Sequence, residues 1–282
     1  MEKTKVLIVG LGLIGGSYAK KLCKLDYLVY GYDNYVETMK QAYNDGTILN
    51  QTIDNIDFFE MIDIVVLSLY PHDNVEFLKK YQDKFKAGTI ITDTTGIKTV
   101  IVEEITKFIR PDLKLIPSHP MAGKEVSGYS NSTSDLFLDA NFIITPLNGT
   151  DDISSLKKLG TDLGFMNIEV LSIAQHDEII SFLSQLTHVI AIALMNTHDT
   201  DSYINYTGDS FRDLTRIAKI NENLWSELFL TNQNILLKEI DDFKKALDKV
   251  ENKIITNDKE GLKQLMRDAK ESRILFDNRH HK

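Results

Sequence analysis

Residues 5–17 read KVLIVGLGLIGGS, a run of aliphatic residues that breaks into glycine and resumes as a helix-compatible segment. The first five predict a buried strand, and Gly10-Leu11-Gly12-Leu13-Ile14-Gly15 fits the spacing GxGxxG at the opening of a helix expected over residues 15–25. Each glycine answers a physical need. The turn is tight, the backbone must come close to a pyrophosphate, and the helix must pack against the strand with its N-terminus facing the phosphates. Gly10, Gly12 and Gly15, with Leu13 and Ile14 between them, are therefore candidate cofactor contacts. A glycine turn alone also occurs in folds that bind no dinucleotide, so its setting decides. Asp33 lies eighteen residues past Gly15, at the end of a second strand-like stretch, YLVYGYD. A carboxylate there accepts hydrogen bonds from the adenosine ribose and repels a 2′-phosphate, and no arginine follows it closely. The expected cofactor is NAD rather than NADP.

Working outward, strand-like and helix-like segments alternate. Helices are expected over 36–45, 74–85, 97–109 and 153–163, with strands within 61–69 and at 88–93, 114–117, 141–145 and 167–171. Such alternation predicts an α/β fold of Rossmann type, a doubly wound, mainly parallel sheet with helices on both faces. From Ile173 the pattern changes to 3.6-residue periodicity: IAQHDEIISFLSQLTHVIAIALMN, a polar break, then amphipathic stretches over 222–251 and 259–276. Two domains are expected, a dinucleotide-binding one over 1–172 and an all-α one over 173–282. The helices after Ser172 carry more apolar surface than one small sheet domain can cover, which points to an intertwined homodimer.

The whole-chain properties narrow the classes. With 282 residues, 43% hydrophobic and 26% charged, the chain is long enough for two globular domains and too apolar for disorder. A net charge of −9 disfavours nucleic acid and anionic membranes, so any acidic ligand has to be held by a local cluster of cations. The longest uninterrupted apolar run, Val189 to Met195, is about seven residues against the roughly 20 that cross a bilayer. Met1-Glu2-Lys3 leads almost directly into the first strand, leaving no room for a signal peptide, and a cytoplasmic protein is expected. The single cysteine, Cys23, can form no internal disulfide and reads as a half-buried thiol. No cluster of cysteines or aspartates suggests a metal.

Residues 118–128, SHPMAGKEVSG, follow the strand near Leu115, on the edge where ligands of such sheets gather. Pro120 pushes His119 toward extended geometry, and small Ala122 and Gly123 let a ligand approach. A histidine so held can take a proton from a hydroxyl near neutral pH while a hydride leaves the carbon that bears it. Loop histidines are also commonly structural. His188 lies on an apolar helical stretch, SQLTHVIAIAL, where an imidazole needs a partner, in the core or in a ligand. In FRDLTRIA, residues 211–218, Arg212 and Arg216 are four apart on one helical face, with Asp213 three before Arg216. Arginine suits bidentate capture of a carboxylate, and an intrahelical salt bridge is the plain alternative. The two are compatible if Asp213 orients Arg216 toward a substrate.

Taken together, GLGLIGGS, SHPMAGKEVSG with Leu136-Phe137 after it, QLTHVIAIAL, and FRDLTRIA followed by Leu224-Trp225 resemble the prephenate dehydrogenase family of tyrosine biosynthesis, in order and over nearly the whole chain. The resemblance implies that His119 is the catalytic histidine on the ring hydroxyl of prephenate and that Glu125 gates or orders the substrate site. It further implies that His188 lines the pocket, that Arg216 grips a substrate carboxylate, and that Asp213 and Trp225 support that arginine and the pocket wall. Pro71 and Thr94 fall where the family's cofactor site is expected. One departure stands out: family members carry Asp-x-Gly-Ser-x-Lys, whereas residues 93–98 read DTTGIK, with Gly96 at the serine position. The hydroxyl of Thr95 or Thr94 is expected to substitute.

The resemblance implies NAD-dependent oxidative decarboxylation of prephenate to 4-hydroxyphenylpyruvate. The nearest rival is the same fold acting on arogenate, the amino analogue. A β-hydroxyacid dehydrogenase or imine reductase shares the glycine loop and helical domain but works through a helical lysine. In a non-catalytic dinucleotide sensor, His119 and Arg216 would be incidental, and NAD would bind without turnover.

Overall fold

The structure, a computed structural model, describes residues 3–54, 56–149 and 151–280. Five short strands, β1 (Lys5–Val9), β2 (Leu28–Tyr32), β3 (Ile64–Leu67), β4 (Ile90–Asp93) and β5 (Lys114–Leu115), form a sheet in the order β2-β1-β3-β4-β5. Every pairing in it is parallel. Helices α1 (Leu13–Cys23), α2 (Val36–Asn44), α3 (Pro71–Tyr81) and α4 (Thr99–Thr106) make the crossovers. Both faces are covered, so the strands read as unbroken apolar runs rather than alternating ones. Val6 and Ile8 pack with Tyr18, Leu22 and Phe142 on one face, and Leu7 and Val9 with Phe59, Val75 and Leu78 on the other. The strand order reverses between β1 and β3, which places a crevice at their carboxyl ends.

The strand expected over 114–117 covers only its first two residues, and a separate strand in a second sheet begins at Ser118. β5 ends at Leu115, and the chain then changes sheets to form β6 (Ser118–Pro120), which pairs antiparallel with β7 (Asn141–Ile144). Helix α5 (Ser154–Leu163) leads to β8 (Asn167–Val170), parallel to β7. His119 thus sits on a strand, opposite Ile143, rather than on a loop. Pro117 and Pro120 favour extended geometry in the residues before them, which suits a strand.

Past Ser172 the structure is helical. Ser172 and Gln175 form a reciprocal cap that starts α6 (Ile173–Ile180), and a π-helical turn (Ser181–Leu186) joins it to α7 (Thr187–Met195). The joined run Ile173–Met195 is long and apolar enough to cross a membrane, a property that its short stretches of consecutive apolar residues conceal. Its inward side carries polar groups, however: His176, Asp177 and Gln185 are buried and hydrogen-bonded within the protein. The polar break contains α8 (Asp209–Thr215), which ends just before Arg216. The expected helix over 222–251 is interrupted at Asn232, between α9 (Glu222–Thr231) and α10 (Gln233–Ile255). The Asn232 amide turns inward to donate to the Gln185 side chain at 2.8 Å.

Contacts divide the chain into two compact units, Met1–Asn232 and Gln233–Lys282. The second unit holds α10 and α11 (Lys259–His280). Between these helices Asn257 adopts a left-handed conformation (φ 50°), Asp258 accepts a hydrogen bond from the Gly261 amide at 2.9 Å, and Lys253 pairs with Asp258 at 2.6 Å.

Candidate active site

The glycine loop lies at the crevice. Gly10 has φ +90°, and a Cβ there would stand 2.7 Å from the carbonyl oxygen of Ser68, just past β3. A Cβ on Gly15 would meet the Gly10 carbonyl at 1.9 Å, so the close contact between loop and helix requires glycine. Gly12 differs, since a Cβ there would meet nothing within 4 Å. It caps α1 without any side chain, and the first turn carries no acid. Open space beside Gly12 thus lies at the N-terminus of α1, which Leu13 and Ile14 begin, the place where a helix favours a pyrophosphate. Asp33 is nearly buried, and its two carboxylate oxygens accept from the Leu11 amide at 2.8 Å and the Tyr35 amide at 2.9 Å. That fixes it beside the loop with lone pairs to spare for a ribose diol. Pro71 opens α3 after the end of β3, and the Thr94 hydroxyl lies 3.1 Å from that of Ser68. The residues present fit a dinucleotide.

His119 is held from behind. Its Nδ1 lies 2.9 Å from Nε2 of His176, and His176 Nδ1 lies 2.7 Å from Asp177 Oδ1. Asp177 in turn accepts the backbone amides of Lys98 at 2.9 Å and Thr99 at 2.8 Å. His176 and Asp177 are fully buried. The His119 pKa is driven well below the ordinary imidazole range by burial first, then by His176 and Lys98. Lys98, also fully buried, donates to Asp93 at 2.5 Å, to the Ser118 carbonyl at 2.5 Å and to the Thr95 hydroxyl at 3.2 Å. Burial lowers its pKa against the pull of Asp93. The lysine thereby ties the end of β4 to the strand that carries His119.

The hydroxyl of Thr95 is engaged with Asp93 and with the Ile97 carbonyl, and that of Thr94 reaches Ser68 and the Leu67 carbonyl. Gly96 lies beside His119. A Cβ there would stand 4.0 Å from His119 Cε1 and 3.5 Å from a methyl of Leu228.

Leu228 links this region to a second group. It packs with Ile97 and Ile180, and Met121, Leu224 and Trp225 lean on the cluster. Trp225 stacks on His188 with ring centroids 3.7 Å apart. His188 donates from Nδ1 to the Ser184 carbonyl at 2.8 Å, which leaves Nε2 as the outward nitrogen. Burial lowers its pKa, Arg216 adds to that, and the Ser184 bond and Glu125 oppose it. Arg216 heads a 3₁₀ turn and forms an ion pair with Glu125, not with Asp213. Arg212 pairs with Asp209 and donates to the Thr207 carbonyl at 3.1 Å. The expectation that Asp213 orients Arg216 is therefore replaced: the helix ends at Thr215, Arg216 leaves its register, and Glu125 takes the guanidinium.

Sequence reasoning missed His176, Asp177 and Lys98. A signal for the first two was present, since the His-Asp pair interrupts an apolar helical stretch as His188 does.

A dinucleotide loop, an ordered histidine on the neighbouring sheet and an arginine with an aromatic wall define an NAD-dependent oxidoreductase. Comparison with known proteins agrees. A family model described as prephenate dehydrogenase, nucleotide-binding domain, matches residues 17–165, and one described as prephenate dehydrogenase, dimerization domain, matches residues 172–268. The chain is 30% identical to the cyclohexadienyl dehydrogenase of Zymomonas mobilis over 98% of this chain and 97% of that one. It is 29% identical to the prephenate dehydrogenase of Lactococcus lactis subsp. cremoris over 95% of this chain and 76% of the relative. The crystal structure of prephenate dehydrogenase from A. aeolicus, in complex with hydroxyphenyl propionate and NAD+, superposes with a TM-score of 0.87 at 30% identity, covering 98% of this chain and 99% of that one. The chain belongs to the prephenate dehydrogenase family, and its cofactor is NAD.

Proposed function

We propose that this protein oxidises and decarboxylates prephenate to 4-hydroxyphenylpyruvate with NAD+. The observation that carries the reading is His119: an ordered imidazole bonded through Nδ1 and kept neutral by burial, with Nε2 making no hydrogen bond among the described residues and its ring beside Gly96. Prephenate has a cyclohexadiene ring with a hydroxyl at C4 and a carboxylate at C1. His119 accepts the C4 hydroxyl proton as that carbon becomes carbonyl-like. Loss of CO2 from C1 supplies the electrons that make the ring aromatic. NAD+, held by Gly10–Gly15 and Asp33, with Pro71 and Thr94 bordering its site, supplies the hydride acceptor. Arg216 binds a carboxylate of the dianion, with Glu125 in charge of the guanidinium until substrate arrives. His188 and Trp225 form the wall, and Asp213 borders the arginine turn. Thr95, through Asp93 and Lys98, supports the His119 strand.

Residues 1–172 serve dinucleotide binding, and residues 173–282 serve substrate binding and dimerisation. Large apolar side chains stay exposed in both parts of the helical region, Phe182, Leu183 and Leu230 in the first unit and Leu247 and Ile254 in the second, which favours a homodimer. A cytoplasmic location accords with a nicotinamide-dependent biosynthetic role. The test is stoichiometry: one NADH, one CO2 and one 4-hydroxyphenylpyruvate are expected per prephenate consumed. Tyrosine formed from arogenate, with prephenate untouched, would move the substrate to the amino analogue.

Two further outcomes are expected. Asp33→Asn removes the charge beside the ribose and should raise KM for NAD+ by about 10- to 100-fold while narrowing the preference over NADP+; an unaltered cofactor ratio would remove Asp33 from the site. Gly96→Ser places a hydroxyl beside His119 with only ordinary van der Waals contacts. It should fold normally and lower KM for prephenate by about three- to tenfold, the worth of one neutral hydrogen bond. A rise in KM would mean that the substrate hydroxyl lies elsewhere.

A further inference from the structure

We propose that His176 and Asp177 are positioning residues that fix the protonation pattern of His119, so that its Nε2 always presents a lone pair to the substrate hydroxyl. The inference rests on the reading of His119 as the base. Its starting point is Asp177, a fully buried carboxylate that accepts two backbone amides, from Lys98 and Thr99, and one bond from His176. Burial pushes its pKa up, but the bonds from His176 and Thr99 outweigh this and hold it below the ordinary range, so it is ionised. An ionised carboxylate only accepts, and the proton on the 2.7 Å bond therefore belongs to His176 Nδ1. His176 is fully buried and, with its pKa lowered chiefly by burial, neutral. A neutral imidazole protonated at Nδ1 has a bare Nε2. The atom 2.9 Å away, His119 Nδ1, must then be the donor, and neutral His119 carries its one proton there. Its Nε2 is left unprotonated by default. The opposite tautomer would set two lone pairs against each other between the rings and offer the substrate a proton where it needs a base.

The same chain disperses charge when the substrate proton arrives on His119 Nε2. The imidazolium keeps its Nδ1–H bond to His176, whose polarisation draws the positive charge toward Asp177. The charged groups around the pair are Lys98, which opposes this charge, and Asp93, which neutralises the lysine at 2.5 Å. No proton is lost or gained by the chain: one enters at His119 Nε2 from the C4 hydroxyl and returns from the same atom to the phenolate oxygen left when CO2 departs. The logic matches that of a histidine oriented by an acid in hydrolases, with a second imidazole interposed.

The experiment is 15N NMR of histidine-labelled protein at pH 7.5, with the His119 signals identified by their loss in His119→Asn. In the wild type, His119 is expected with a protonated Nδ1 and a bare Nε2. His176→Leu removes the acceptor and should release His119 to the Nε2–H form, with kcat for prephenate lowered about 10²- to 10⁴-fold and both KM values within about threefold. His176→Gln keeps an acceptor near the same place, and should hold the Nδ1–H form and restore kcat to within about tenfold of the wild type. If His176→Leu fails to fold, the wild-type tautomer and the glutamine variant decide. An Nε2–H tautomer in the wild type overturns the inference, as does a leucine variant with unchanged signals and unchanged kcat. Failure of the wild type to oxidise prephenate, with His119 in the Nδ1–H form, overturns the functional reading instead.

Discussion

His119→Asn lowers kcat for prephenate by roughly two to four orders of magnitude, the usual worth of a general base, and leaves NAD+ affinity within about twofold. Asparagine is the informative replacement because its amide can donate to His176 Nε2 as His119 Nδ1 does at 2.9 Å, so the buried acceptor keeps a partner and β6 keeps its place. What disappears is the second nitrogen. The glycine loop and Asp33 belong to β1, β2 and α1, outside the strand that changes, so the cofactor site has no reason to respond. The pH profile carries independent information. Burial, His176 and Lys98 hold the His119 pKa well below the imidazole norm. The wild-type rate is therefore expected to stay level through neutrality and to fall only well to the acid side, where His119 takes up a proton. That acid limb should be absent from the asparagine variant's residual activity. A variant with normal kcat would take His119 out of the chemistry.

Arg216→Ala raises KM for prephenate by about 10- to 100-fold with kcat within about fivefold, since it removes charge-assisted bonds that ground state and transition state share. Glu125 makes the loss larger than a neutral deletion. With its ion-pair partner gone, its carboxylate faces the substrate anion. The double replacement with Glu125→Gln should therefore recover part of the KM. Both partners are solvent-exposed, so the wild-type KM should rise with ionic strength and the alanine variant's should respond less. Arg216→Lys should recover little, because an ammonium cannot reproduce a two-point contact. A variant altered only in NAD+ affinity would place the substrate elsewhere. Steady-state kinetics with each substrate varied at saturating levels of the other distinguish these results.

What was legible in the sequence is what is local. The strand, glycine turn and helix follow from residues a few positions apart, and Asp33 from its place at the end of the next strand, eighteen residues past Gly15. The change of sheets at Ile116–Pro117 was not legible, because two- and three-residue strands are defined by their partners rather than by their own pattern. The His119–His176 bond joins residues 57 apart in sequence, and the Arg216–Glu125 pair residues 91 apart. Helical periodicity suggested Asp213 for Arg216. It could not foresee that the helix stops one residue short and hands the guanidinium to the loop after β6.

The central claim is tested most directly by NADH production from the purified protein, with prephenate and arogenate each offered with NAD+ and with NADP+. Turnover with prephenate and NAD+, well above the other three combinations, is the expected result, and it would support the reaction, the cofactor and the role of Asp33 together. NAD+ binding without turnover of either substrate would contradict the account and make the protein a dinucleotide sensor.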